Sequence, residues 1–117
     1  MLNNSSKVAI YMQGHLFTDY GKMGHGALRY LSNEIVAVID SENSGKNIKD
    51  CFPIDKSVPI VKDIDTAISN GAEVLLLGIA SSGGKIPESW LPIIDRAIFK
   101  GLSIINGPVS YTHLTLP

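Results

Sequence analysis

The sequence predicts an α/β fold, a parallel sheet of about five strands with helices on both faces. The first observation is that apolar, β-prone runs alternate along the chain with segments whose apolar residues recur at three- and four-residue spacing. The second is that the strongest runs are apolar on consecutive positions, as in strands that are buried on both faces. Strands joined by helices form a parallel sheet with right-handed crossovers.

The predicted strands are residues 7–12, 34–40, 58–61, 74–79 and 102–105. The third of these runs follows Pro53 and contains Pro59, which cannot donate to a neighbouring strand. We therefore expect it to be short or to lie at an edge of the sheet.

The predicted helices are residues 24–31, 64–70 and 90–100. In the last helix Ser89 can cap the start and Gly101 can take the left-handed position after the end. Asp63 or Asp65 can cap the second helix, and Gly71 closes it.

Composition indicates one soluble globular domain. The chain has 117 residues and a net charge of −1 without a basic run, which argues against a nucleic-acid partner. The longest apolar stretch, residues 74–80, is too short to cross a bilayer, and the N-terminus lacks the pattern of a secretory signal. The single cysteine, Cys51, cannot form an intrachain disulfide. These features predict a cytoplasmic protein with no membrane partner.

The last residues predict a foreign tail. Residues 109–117 have neither helix periodicity nor the turn chemistry expected after the last strand, and a codon string that encodes them resembles a transposon-end sequencing adapter. We interpret residues 108–117 as non-native and residues 1–107 as the N-terminal domain of a longer protein.

Ligands of such a sheet are expected at the carboxyl ends of its strands. Gly21, Gly24 and Gly26 precede or open the first helix, but their spacing is the reverse of the dinucleotide fingerprint. Their backbone amides could approach a phosphate or carboxylate, with Lys22 nearby, or the glycines could let the helix pack tightly. His25 falls in the same turn.

Other candidate ligand-binding residues follow the helix and two strands. His25 and Arg29 are four residues apart and share a helical face, as a ligand pair or as a buried histidine beside a surface arginine. Asp40 and Ser41 end the second strand, where an acid can bind a ribose hydroxyl or cap a local turn. The loop after the fourth strand could bind an anion or be a plain connection; its residues are Ser81, Ser82, Gly83 and Gly84.

Residue chemistry alone identifies no reaction, since neither metal-ligand spacing nor a nucleophile–histidine arrangement is found. The glycine turn, the second strand with its acidic end and the region around the fourth strand together resemble a prokaryotic family long of unknown function. This family includes the DgcN-type D-glutamate N-acetyltransferases. The residues that carry the resemblance are Gly21-Lys22, His25-Gly26, Leu28-Arg29-Tyr30, 36–41, Gly45-Lys46, 77–80, Gly83-Gly84, Pro87, Trp90, Ala97, Gly101-Leu102 and Asn106-Gly107.

The resemblance implies a Rossmann-like N-terminal domain that is joined to a C-terminal P-loop domain missing from this sequence. The chain departs from the family pattern at Met23, Gly24 and Pro108-Val109. The resemblance also implies an N-acetyltransferase acting on D-glutamate or a similar acidic amino acid, with acetyl-CoA or a nucleotide as the cofactor of the complete protein and the catalytic residues mostly in the missing part.

We expect the fragment to be inactive alone and to self-associate if its partner face is exposed. Two alternatives remain, a nucleotide-binding or structural module without chemistry of its own and, less favoured by the glycine spacing, an NAD-dependent oxidoreductase.

Overall fold

A computed structural model describes residues 5–18, 21–79 and 88–106. The strands in these ranges are β1 (Val8–Tyr11), β2 (Ile35–Ile39), β3 (Ile60–Val61), β4 (Val74–Leu77) and β5 (Ser103–Asn106). The α-helices are α1 (Lys22–Tyr30), α2 (Ile48–Cys51), α3 (Ile64–Ser69) and α4 (Leu91–Phe99).

The strands form one parallel sheet in the order β3-β2-β1-β4-β5. In the register of the central strands, Ile10 of β1 lies between Val38 of β2 and Leu76 of β4. The strand order reverses between β1 and β4, and a parallel sheet forms its ligand crevice at the carboxyl ends beside such a reversal. The predicted fold class, a Rossmann-like α/β sheet, is confirmed.

Helices cover both faces of the sheet. Side chains of β1 alternate, so that Val8 and Ile10 face α1 and α2, while Ala9 and Tyr11 face α3 and α4. All four of these side chains are buried. Each face thus has its own apolar core, which explains why the strand runs are apolar at consecutive positions.

Several boundary predictions are confirmed. β3 is short and lies at the edge of the sheet, as the prolines predict. The Asp63 carboxylate accepts a hydrogen bond from the Thr66 amide and caps α3. Gly71 and Gly101 follow the ends of α3 and α4 with φ of +101° and +90°, the left-handed conformation that glycine adopts without a steric penalty.

Two details of the helix predictions are wrong. Ser89 lies in a 3-10 turn, Glu88–Trp90, and the cap position of α4 is Trp90, which makes no side-chain capping bond. The 3-10 turn replaces the cap because its tighter bonds lead directly into the first turn of α4. The short helix α2 has no counterpart among the predicted helices, since four residues are too few to display a helical period.

Some predictions fall outside the described residues. These include the loop residues Ser81, Ser82, Gly83 and Gly84 and the tail, residues 108–117. The foreign origin of the tail and the domain boundary at residue 107 stay predictions. None of the helices in the described segments is long and apolar enough to cross a membrane.

Candidate ligand site at the carboxyl edge of the sheet

The first turn of α1 packs directly on the end of β4. The Gly24 amide donates a hydrogen bond to the Gly78 carbonyl at 3.1 Å. A β-carbon at Gly24 would lie 2.5 Å from the Met12 Sδ, and one at Gly78 would lie 2.7 Å from the Ile10 Cγ2. Close packing therefore favours glycine at both positions, most strongly at Gly78, and the Gly24 amide is already bonded within the protein.

The residue before α1 is also constrained. Gly21 donates its amide to the Thr18 carbonyl at 3.0 Å, and a β-carbon there would clash with the His15 carbonyl oxygen. Gly21 has no side chain that could accept hydrogen bonds from the first amides of α1. The helix start therefore keeps the positive partial charge of its dipole. Lys22 is exposed at this helix start, whereas Gly26 lies further along α1 and is half-buried.

His25 and Arg29 lie in different surroundings on α1. The His25 Nε2–H donates to the Leu16 carbonyl at 2.6 Å, which fixes the tautomer, and the imidazole lies 4.8 Å from the Phe52 ring. Arg29 is exposed in the last turn. Because a helix rises about 1.5 Å per residue, Arg29 lies roughly 10 Å along the axis from Lys22, toward the amino end of β2. The structure does not bring Arg29 to the carboxyl edge.

Asp40 and Ser41 lie at the carboxyl end of β2 and hold the loop after β1. The buried Asp40 carboxylate accepts from the Gly14 amide at 3.3 Å, the Glu42 amide at 3.1 Å and the Asn43 side-chain amide at 2.7 Å. With three donors on one carboxylate, Asp40 caps the 3-10 turn that follows β2, one of its two predicted roles.

Gln13 pairs reciprocally with Ser41. The Gln13 Nε2 donates to the Ser41 hydroxyl at 2.7 Å, and the Ser41 amide donates to the Gln13 Oε1 at 2.8 Å. The ends of β1 and β2 are thus tied together by side chains. Sequence reasoning missed Gln13, although its position directly after an apolar strand is a signal that it lies at the carboxyl edge.

A cleft of about 410 Å³ opens at the same edge, on the sheet face covered by α3 and α4. The ring of Tyr11 forms part of its wall and packs edge-on against Trp90, with ring centroids 5.7 Å apart. Burial raises the pKa of the Tyr11 phenol. Sequence reasoning placed Tyr11 only within the first strand and missed its place in the cleft.

Charged groups surround the mouth of this cleft. Asp65 accepts from the Arg96 guanidinium at 3.1 Å, and both side chains are about half exposed, at 56% and 46%. Hydrogen bonds from the Thr66 hydroxyl and then from its amide hold the pKa of the Asp63 carboxyl below its usual value. Lys62 also lines the cleft and is exposed.

Two other findings concern the wider surface. A second hollow of about 390 Å³ lies at the amino end of β2, between Leu31 and Val58, away from the carboxyl edge. Across the described ranges, no group of three or more His, Cys, Asp or Glu side chains could hold a metal ion.

The fold and the carboxyl-edge geometry define a Rossmann-like α/β domain. A protein-family model, the Rossmann-like domain of unknown function DUF1611_N, matches residues 41–111. This match covers more than half of the chain, and the chain therefore belongs to that family.

Two relatives extend the comparison. The crystal structure of a DUF1611 family protein from Anabaena variabilis matches with a TM-score of 0.84 and 32% identity, over 99% of this chain and 35% of that chain. A D-glutamate N-acetyltransferase from a Pseudoalteromonas species is 49% identical over 37 residues, which are 32% of this chain and 11% of that protein. The chain thus spans about a third of the solved relative and a smaller share of the curated one.

Proposed function

We propose that this chain is the N-terminal domain of a two-domain N-acetyltransferase that acts on D-glutamate or a similar acidic amino acid. The observation that carries the proposal is the 49% identity to a protein named as a D-glutamate N-acetyltransferase. The solved family member, of which this chain covers 35%, supports a longer parent protein. The partner of this domain in the proposal is the C-terminal P-loop domain of the same chain.

The proposed reaction joins acetyl-CoA and an amino acid. The neutral amine attacks the thioester carbonyl, the carbon–sulfur bond breaks, and coenzyme A leaves as a thiol with the proton that the amine loses. We assign no residue of this chain a catalytic role. We propose instead that Lys22 binds a substrate carboxylate at the start of α1, where an exposed cation and an uncapped helix start reinforce each other.

A second candidate is a binding or structural module whose chemistry lies elsewhere. The Gly24 amide and the Asp40 carboxylate favour the structural form of this candidate over nucleotide binding, because both groups that a nucleotide would use already bond within the domain. The same two observations, with the reversed glycine spacing, disfavour an NAD-dependent oxidoreductase.

The test is product formation by the full-length protein. Incubated with acetyl-CoA and D-glutamate, it should release coenzyme A thiol and form N-acetyl-D-glutamate, measured by mass spectrometry. Glutarate, which has both carboxylates but no amine, should give no product. An absence of N-acetylated product with a panel of acidic amino acids would refute the proposed activity.

Ligand protection separates the first two candidates. D-glutamate should raise the melting temperature of the full-length protein, and Lys22→Ala should reduce the rise at the same D-glutamate concentration. Lys100→Ala is the matched control, because Lys100 is an exposed lysine that follows α4 at the opposite edge of the sheet. Equal protection in both variants would favour the module, and protection by NAD(H) would favour the oxidoreductase.

A further inference from the structure

The cleft beside α3 and α4 is not used by the proposed acetyl transfer. It lies on the sheet face opposite α1, with its floor at the ends of β1 and β2 and its sides at the starts of α3 and α4. Its volume of about 410 Å³ falls in the range typical of small-molecule sites, roughly 300–1,000 Å³. The cleft lies at the carboxyl edge of the sheet, where open α/β sheets bind ligands, on the β2 side of the reversal between β1 and β4.

The walls suit the apolar body of a ligand. Ile39 and Ile64 are buried, Ile93 is half-buried, and Pro92 is exposed at the rim. A hydrocarbon body seated against these side chains would leave water, at a gain of about 25 cal/mol for each square ångström of apolar surface removed. The walls alone select for an apolar group and say nothing about its charge.

Tyr11 supplies the first polar group of the cleft. The residue is 94% buried (6% exposed), yet no donor or acceptor within residues 5–18, 21–79 and 88–106 pairs with its hydroxyl. The hydroxyl oxygen itself is not a buried atom without a partner, so it faces the cleft, where a ligand acceptor would take the place of water. Since burial raises the pKa of the phenol, the hydroxyl keeps its proton at neutral pH and can donate.

The charged groups of the cleft also offer donors. The Asp63 Oδ1 accepts from the amide and the hydroxyl of Thr66, and both Asp65 oxygens accept from Arg96. Arg96 keeps donors that this pair does not use, and Lys62 makes no salt bridge to any described residue. Both Asp65 oxygens and the Asp63 Oδ1 are therefore engaged, while ammonium and guanidinium hydrogens remain available.

We propose that this cleft binds a small organic anion, with its apolar body against the isoleucine and proline walls and its carboxylate or phosphate oxygens accepting from Tyr11, Lys62 and Arg96. The site lies across the sheet from Lys22 and does not depend on the acetyl-transfer proposal. D-glutamate, which has no apolar body of the required kind, should not compete for the cleft.

The tryptophan beside the cleft provides a direct readout. Trp90 is the sole tryptophan in the sequence and contacts the Tyr11 ring, so a ligand next to Tyr11 should change its emission. The full chain is titrated with cyclohexanecarboxylate, cyclohexyl phosphate and the uncharged cyclohexylmethanol. These probes share one apolar body and are transparent at the excitation wavelength.

The expected result is a saturable change in Trp90 emission with one or both anions and a much weaker response to the alcohol. The tighter anion identifies the ligand class as a carboxylate or a phosphate. Tyr11→Phe should weaken that anion about tenfold to hundredfold, as loss of a hydrogen bond to a charged group does. Lys62→Met should weaken it about threefold, because Lys62 is exposed.

Matched controls keep the test independent of folding. Tyr30→Phe and Lys100→Met make the same chemical changes at exposed positions away from the cleft and should leave binding unchanged. Equal affinity for the alcohol and the anions would overturn the proposal, as would wild-type affinity in Tyr11→Phe. The lack of any saturable change with the wild-type chain would also overturn it.

Discussion

The contact between the start of α1 and the end of β4 makes Gly78→Ala the most informative stability mutation. The added β-carbon would lie 2.7 Å from the Ile10 Cγ2, 3.0 Å from the Gly24 Cα and 3.3 Å from the Gly24 nitrogen. Ile10 is fully buried and two of the three contacts are backbone atoms, so the crowding cannot be relieved by turning a flexible side chain. The helix start must move away from the strand.

The cost follows from two effects. Overpacking in a closed core costs about 1–3 kcal/mol. Displacing α1 also weakens the 3.1 Å hydrogen bond from Gly24 to Gly78, which contributes about 1 kcal/mol. Alanine also has less conformational freedom than glycine in the unfolded chain, which offsets about 0.4–1 kcal/mol of this loss of stability. The expected loss is about 1–3.5 kcal/mol in the free energy of unfolding.

Gly24→Ala provides the matched comparison. Its added methyl meets Met12, whose flexible side chain adapts better than backbone, and alanine favours a helix over glycine by about 1 kcal/mol. Gly24→Ala should therefore cost clearly less than Gly78→Ala. The assay is urea unfolding followed by Trp90 emission and circular dichroism. A Gly78→Ala protein within about 0.5 kcal/mol of wild type, or less affected than Gly24→Ala, would refute the packing argument.

Three further predictions concern the carboxylates. Asp63→Ala should cost about 1 kcal/mol at pH 7, as loss of a helix cap does. The pKa of Asp63 is lower in the folded state than in the unfolded state, where it is about 3.9. The stabilisation by Asp63 is therefore complete above that pH and is lost as the pH falls below it. The urea midpoints of wild type and variant should converge in acid, and a constant difference would contradict this. A double-mutant cycle on Asp65 and Arg96 should give about 0.2–1 kcal/mol that shrinks in salt, and a salt-independent value would contradict a surface pair. Asp40→Ala should cost about 2–3 kcal/mol in urea unfolding, since three donors lose a buried acceptor, and an unchanged midpoint would contradict that role.

Much of the fold could be predicted from the sequence because each strand and the longer helices carry their own local signal. The cap at Asp63 and the glycines that end α3 and α4 are decided within a few residues. The short helix α2 and the 3-10 turn before α4 were missed, because segments of three or four residues carry no measurable period.

The site was predicted less completely, because its decisive contacts join residues far apart in the sequence. The pattern could place Gly24 at a helix start but could not show that its amide bonds to Gly78. Asp40 was expected at a strand end, but its partner Gly14 depends on the pairing of β1 with β2. The cleft around Tyr11 depends on how α3 and α4 sit across the sheet, which no local pattern specifies.

Steady-state kinetics of the full-length protein tests the central claim most directly. With D-glutamate as the varied substrate and acetyl-CoA saturating, Lys22→Ala should raise the KM for D-glutamate about tenfold, since it removes a charge-assisted bond to the substrate carboxylate. The KM for acetyl-CoA should change little, and Lys100→Ala should match wild type. Turnover with an unchanged KM for D-glutamate in Lys22→Ala would contradict a substrate-binding role for this domain, and no turnover in the wild-type protein would contradict the proposed activity.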